Sequence, residues 1–161
     1  MTRLIAVFAF TLLVFVASAA EDLPSAQTTP GATNPNVTQA NIKTTICRSG
    51  WTKTIRPTVP YTDDLKAKQV SAFADADKNL SDYEEDHLIS LELGGDPMNE
   101  KNLWPQPYNV ECGARIKDVL EKHLNKMVCA GELQLTEAQQ LIRTNWIEAY
   151  KKYIHPEGCP P

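Results

Sequence analysis

Residues 83–107 read YEEDHLISLELGGDPMNEKNLWPQP. They hold an acid–histidine pair, Asp86-His87, then an alternating apolar run, a Gly94-Gly95 break and a polar loop ending at Asn102-Leu103-Trp104-Pro105. Ile89, Leu91 and Leu93 alternate with Ser90 and Glu92, the period of two expected for a half-buried strand. That strand would carry His87 near its start and stop at a glycine pair able to take positive φ. A histidine beside a carboxylate can act as a general base next to a metal site. The remainder of the chain reads as a scaffold for this arrangement.

Upstream, Arg3 precedes an apolar run from Leu4 to Val16, and Ala17-Ser18-Ala19-Ala20 supplies small residues for signal peptidase. The run is shorter than the ~20 residues needed to span a bilayer. Residues 1–20 are therefore expected to be a cleaved export signal, leaving a secreted or periplasmic protein with no membrane attachment. Residues 21–44 are rich in Pro, Thr, Asn, Ala and Gln with few large apolar side chains, and predict a disordered linker. The folded domain is then expected over 45–161. Asn36-Val37-Thr38 and Asn79-Leu80-Ser81 are glycosylation sequons only in a eukaryotic source.

The four cysteines, Cys47, Cys112, Cys129 and Cys159, all lie beyond the signal. An even number in an exported chain predicts two disulfides, with three possible pairings. Their long, irregular spacing lacks any CxxC pair and argues against a cysteine zinc site. The net charge of -4 excludes the whole-protein basic field of a nucleic-acid coating protein. Local basic groups remain: Lys53, Arg56, Lys66 and Lys68 upstream, then Lys122, Lys126, Arg143, Lys151 and Lys152 downstream.

Elements outside the central stretch follow from local signals. Ile46, Cys47, Trp51 and Ile55 around Ser49-Gly50 predict a short strand or irregular hairpin over 45–55. Thr62 before Asp63-Asp64 predicts a helix start, with Leu65, Val70 and Phe73 inward. Asp75, Asp77, Asn79 and Asp86 imitate the spacing of a calcium loop, but Leu80 stands where the sharp turn needs glycine, so an acidic surface loop is the preferred reading. Ile116, Val119, Leu120, His123, Leu124 and Met127 form an amphipathic stripe that ends at Cys129-Ala130-Gly131. A capping box, Thr136 to Gln139, opens a last helix burying Ala138, Leu141, Ile142, Trp146, Ala149 and Tyr150. His123 reads as a packed core histidine and His155 as a surface one. The sum is a small α+β domain stapled by disulfides.

Asp86-His87, the apolar run, Gly94-Gly95 and Asn102-Leu103 resemble the HNH endonuclease motif, also called the His-Me finger or ββα-metal motif. The match extends to Arg56, YTDDLKAKQ, Lys117-Asp118 and Glu121, and is similar to a group of small exported bacterial HNH-like proteins over about Cys47 to Tyr150. The resemblance implies a ββα-metal centre with flanking helices and cleavage of DNA or RNA phosphodiesters. His87 would be the general base and Asn102 the residue that holds the loop and orients it. One divalent ion, Mg²⁺ first, with Mn²⁺, Ni²⁺ or Zn²⁺ as alternatives, would be held by Asp86 and a ligand on the following helix. Asn109, Glu111 and Asp118 are candidates for that ligand. A helix beginning near Asn109 would put Glu111 in its first turn, and Glu111 is preferred. Arg56 and Lys117 are the candidate substrate-binding cations. Ser90 stands where many such motifs have proline, and no final His or Asn is evident on the helix. The alternative reading is a non-catalytic exported binding module that keeps the fold.

Overall fold

The computed structural model describes residues 23–72 and 78–160; the expected export signal, Phe73, Asp75 and Asp77 lie outside the described residues. Two short antiparallel strands, β1 (Tyr83–His87) and β2 (Leu103–Pro107), form the described sheet. The described residues also form four α-helices, α1 (Trp51–Ile55), α2 (Val59–Ala72), α3 (Ala114–Ala130) and α4 (Leu135–Tyr153), of which α2 packs on both strands and α4 on α3. The fold is thus mixed helix and strand, as the residue patterns predict. Two disulfides select one of the three pairings, Cys47–Cys129 and Cys112–Cys159. They close segments of 82 and 47 residues. On a chain-entropy argument each removes about 4 kcal/mol of freedom from the unfolded state.

α3 and α4 form the apolar half of the molecule. Leu120, Leu124 and Val128 of α3 pack with Ala138, Ile142, Trp146 and Ala149 of α4, and all are buried. Gly131, with φ 82°, ends α3 in the left-handed region as expected. The buried stripe of α3 differs from the predicted one. It contains Lys117 and Glu121, whereas Val119 is 45% exposed. Gln134, not Thr136, caps α4, and its side chain makes no capping bond. Non-helical backbone at Asn145 kinks α4, where the Asn145 side chain accepts from the Glu148 N–H and restarts the helix.

Three further expectations are corrected. The strand lies before the alternating apolar run rather than within it. Residues 88–91 and 93 are all buried, and Ser90 caps a 3₁₀ turn over Leu91–Leu93 by accepting from the Glu92 N–H. Burial on every side removes the polar face that a half-buried strand would present. Residues 45–55 form turns and α1 rather than a strand, and α2 starts at Val59, with Pro60 in its first turn where no N–H is needed.

Residues 23–44, read from composition as a linker, are instead packed on the domain. Val37 and Ile42 enter the core. The backbone adds Gly31 N–H to Lys101 O, Asn34 N–H to Gly94 O and Asp96 N–H to Ala32 O, each at 2.9 Å. Few apolar side chains suffice here because the main chain is held by the central loop.

That close approach explains the glycine pair. Gly94 has φ 72°, while a Cβ on Gly95 would stand 1.7 Å from the Ile89 carbonyl oxygen and 2.8 Å from Asn102 Nδ2. Gly95→Ala is expected to cost more than about 3 kcal/mol, since the obstruction is backbone. Gly50 also has positive φ but no atom within 4 Å, so Gly50→Ala should cost only about 1–2 kcal/mol. Urea unfolding of the two variants checks the ranking.

Candidate functional site

In β1 and β2 the register pairs Tyr83 with Pro107, Glu84 with Gln106, Glu85 with Pro105, Asp86 with Trp104, and His87 with Leu103. Successive side chains point to opposite faces of a strand. Asp86 and His87 are therefore adjacent in sequence yet divided by the sheet. Asp86 shares its face with Trp104, which enters the core beside α3. His87 shares the other face with Glu85, against which α2 packs; Gln69 of α2 donates to the Leu103 carbonyl at 3.2 Å, and Lys66 to that of Tyr83 at 3.3 Å.

His87 is 4% exposed and its Nε2 lies 3.0 Å from the Pro97 carbonyl. A carbonyl can only accept, so Nε2 carries the proton and Nδ1 the lone pair. Burial holds the imidazole pKa below its ordinary value, aided by the Arg56 and Lys117 cations and opposed by the Pro97 bond and by Asp86. The ring is neutral at pH 7, the protonation state a general base requires.

Asn102 is fully buried and uses its whole amide. Oδ1 accepts from Ile89 N–H at 2.9 Å and Ala32 N–H at 3.3 Å, and Nδ2 donates to the carbonyls of Ile89 and Asp96, both at 3.0 Å. It thereby ties residues 89, 96 and 32 into one frame. Asp96 also caps this loop by accepting from Met98 and Asn99 N–H, and Tyr61 donates to the Met98 carbonyl. The route from Asn102 to His87 runs through the loop that presents Pro97.

Lys117, expected among the substrate-binding cations, lies inside the protein at 1% exposure. Its ammonium donates to Asp86 Oδ2 at 2.6 Å, to the His87 carbonyl at 2.8 Å and to Glu121 Oε1. Glu121 in turn accepts from Ser90 Oγ at 2.8 Å. Burial alone would lower the Lys117 pKa, but the carboxylates of Asp86 and Glu121 together raise it. The ammonium therefore stays charged. Burial pushes the Glu121 carboxyl up, against the pull of Lys117. Lys117 and Glu121 are spaced i, i+4, and they lie within one turn of Leu120 and Leu124 on the same face of α3, so burial of that face brings the pair inside.

Arg56 is exposed at the end of α1, and its charge is felt by both His87 and Asp118. Asp118 is half-buried on α3, with its pKa raised by burial and by Asp86. Glu84 is raised by the same two causes, partly offset by a hydrogen bond with Tyr108. Glu111 falls outside the helix: α3 starts at Ala114, after Gly113, whose Cβ would meet the Tyr108 carbonyl oxygen at 2.5 Å. Glu111 is exposed in the preceding turn, and Asn109 bonds Asp82 at 3.2 Å. Of the calcium-loop positions, Asn79 accepts from the Ser81 N–H and Asp86 is engaged by Lys117. His123 is half-buried near the Tyr153 ring and His155 is exposed.

These donors do not fit the divalent ion that the resemblance implies. The α3 side chain bonded to Asp86 is an ammonium, which has no lone pair to offer a metal. Among the described residues, no group of three or more His, Cys, Asp or Glu is placed to hold a metal ion. No protein-family model, curated protein or solved structure matches this chain.

Glu85 has both carboxyl oxygens buried without a hydrogen-bond partner. Burial and then Asp86 push its pKa up to about 8. Between its ordinary value of 4.5 and about 8, the folded state keeps a proton that the unfolded state has lost, so this group removes stability as pH rises. Glu85→Gln is expected to raise the urea midpoint over wild type by a margin that widens from about pH 5 to about pH 9. A margin independent of pH would contradict the assignment.

Proposed function

We propose that this chain is an exported hydrolase of nucleic-acid phosphodiester bonds, with His87 as general base. The observation that carries the reading is the His87 imidazole, kept neutral and fixed through Nε2 by the Pro97 carbonyl. Its Nδ1 lone pair would take a proton from a water molecule as the water oxygen attacks phosphorus. The bond to the leaving sugar oxygen breaks, and that oxygen takes a proton from solvent. The exposed Arg56 guanidinium is the cation suited to meet the phosphate, since guanidinium geometry matches phosphate oxygens. Asn102 supports the reading as the residue that holds the loop carrying Pro97, and Asp86 and Lys117 as the pair that fixes the end of β1. Asp118 and Glu111 have no assigned step.

The two disulfides support a compartment outside the reducing cytoplasm. No helix among the described residues is long and apolar enough to cross a membrane. A second reading, a non-catalytic exported binding module on the same frame, is favoured by the 4% exposure of His87, which restricts access to the base.

Incubation of the oxidised protein with plasmid DNA and with RNA separates the two. The hydrolase reading expects cleavage that falls by about 10²-fold or more in His87→Ala with the fold retained. It expects Arg56→Ala to raise KM several-fold with kcat nearly unchanged. Folded wild-type protein that cleaves neither polymer, with or without added Mg²⁺, Mn²⁺, Ni²⁺ or Zn²⁺, would leave the binding module.

A further inference from the structure

We infer that Lys117 is the resident cation of this centre, filling with an ammonium the place between the strand acid and the helix where the resemblance puts a divalent ion. The site of the proposed hydrolase would then work without metal. The inference concerns that same site, but its readouts are ion binding and stability, so it stands or falls separately from catalysis.

The argument is one of valence and charge. An ammonium has three N–H donors. Lys117 directs one to Asp86 Oδ2 of β1, one to the His87 carbonyl and one to Glu121 Oε1 of α3. All three receptors are oxygens, the ligand type that hard divalent cations also prefer. Ser90 Oγ closes the far side by donating to Glu121 Oε2. The surroundings are therefore those of a small hard-cation cage, whose occupant is a covalently attached side chain at 1% exposure. A divalent ion entering it would have to displace a buried positive charge from two carboxylates.

The converse also follows. If the ammonium is removed without filling its volume, Asp86, Glu121, the His87 carbonyl and the Ser90 hydroxyl are left facing one another, with two carboxylates uncompensated. Such a cavity has the donors for Mg²⁺ or Mn²⁺ completed by water. If the volume is filled with an apolar chain, it does not.

The test is titration of wild-type protein with Mn²⁺ and Mg²⁺, followed by calorimetry and by paramagnetic resonance of free Mn²⁺. Melting curves of wild type, Lys117→Ala and Lys117→Met would be recorded with EDTA or millimolar Mn²⁺. Wild type is expected to take up no ion with Kd below about 1 mM and to melt at the same temperature in both solutions. Lys117→Ala is expected to melt about 10 °C lower in EDTA and to recover part of that loss in Mn²⁺. Lys117→Met is expected to show no Mn²⁺ response. A single wild-type Mn²⁺ site that is lost in Asp86→Asn would overturn the inference, as would a folded Lys117→Ala protein indifferent to Mn²⁺. Should Lys117→Ala fail to fold, the wild-type titration still decides. Absence of nuclease activity would change none of these readouts.

Discussion

The ammonium of Lys117 joins β1 to α3, and Glu121 carries the link on to the turn after the strand. Asp86 and the His87 carbonyl come from β1, Glu121 from α3, and Ser90 from the turn after the strand. Taking one cation and two carboxylates out of water is costly, and the cost is recovered only where geometry is complete. Here every ammonium proton has an oxygen, so the arrangement tolerates little displacement of β1 against α3. The face of the hairpin carrying Asp86 and Trp104 is thereby set on the core, and the face carrying Glu85 and His87 is set towards α2.

The placement of the His87 imidazole depends on that orientation and on a second constraint, the fully used amide of Asn102. Asn102 fixes the loop from Ile89 to Asp96, and the next carbonyl, that of Pro97, fixes the imidazole. Gly95 is required because the backbone of this loop passes so near Ile89 that any side chain would collide with it. Core packing, loop and imidazole are consequently one unit, joined through the Asn102 amide and the Pro97 carbonyl.

Much of this was legible in the sequence, and the failures have physical causes. The apolar stripes of α3 and α4 could be read because both helices bury one long face, and Gly131 marked the end of the first. Asp86, His87 and Asn102 could be singled out because an acid–histidine pair and a polar loop bracket a glycine pair. The strand was misplaced because β1, YEEDH, is polar at every position; its partners are buried charges, a backbone carbonyl and α2, which hydropathy does not register. The apolar alternation after it belongs to a turn buried on all sides. Composition does not reveal the packing of residues 23–44, because backbone hydrogen bonds, rather than apolar mass, hold them. The burial of Lys117 is hard to see in the sequence because a lysine is ordinarily solvated. Its spacing from Glu121, on the face of α3 that carries Leu120 and Leu124, is the available warning. Glu111 lies outside α3 because the helix starts only after the close approach at Gly113, which polarity and spacing do not mark.

The identity of the cation beside Asp86 is the central claim, and diffraction from crystals soaked in Mn²⁺ tests it most directly. The account predicts no anomalous peak within coordination distance of Asp86, with Lys117 Nζ still bonded to Asp86, Glu121 and the His87 carbonyl. A manganese ion bound to Asp86, with Lys117 displaced from the carboxylates, would contradict it.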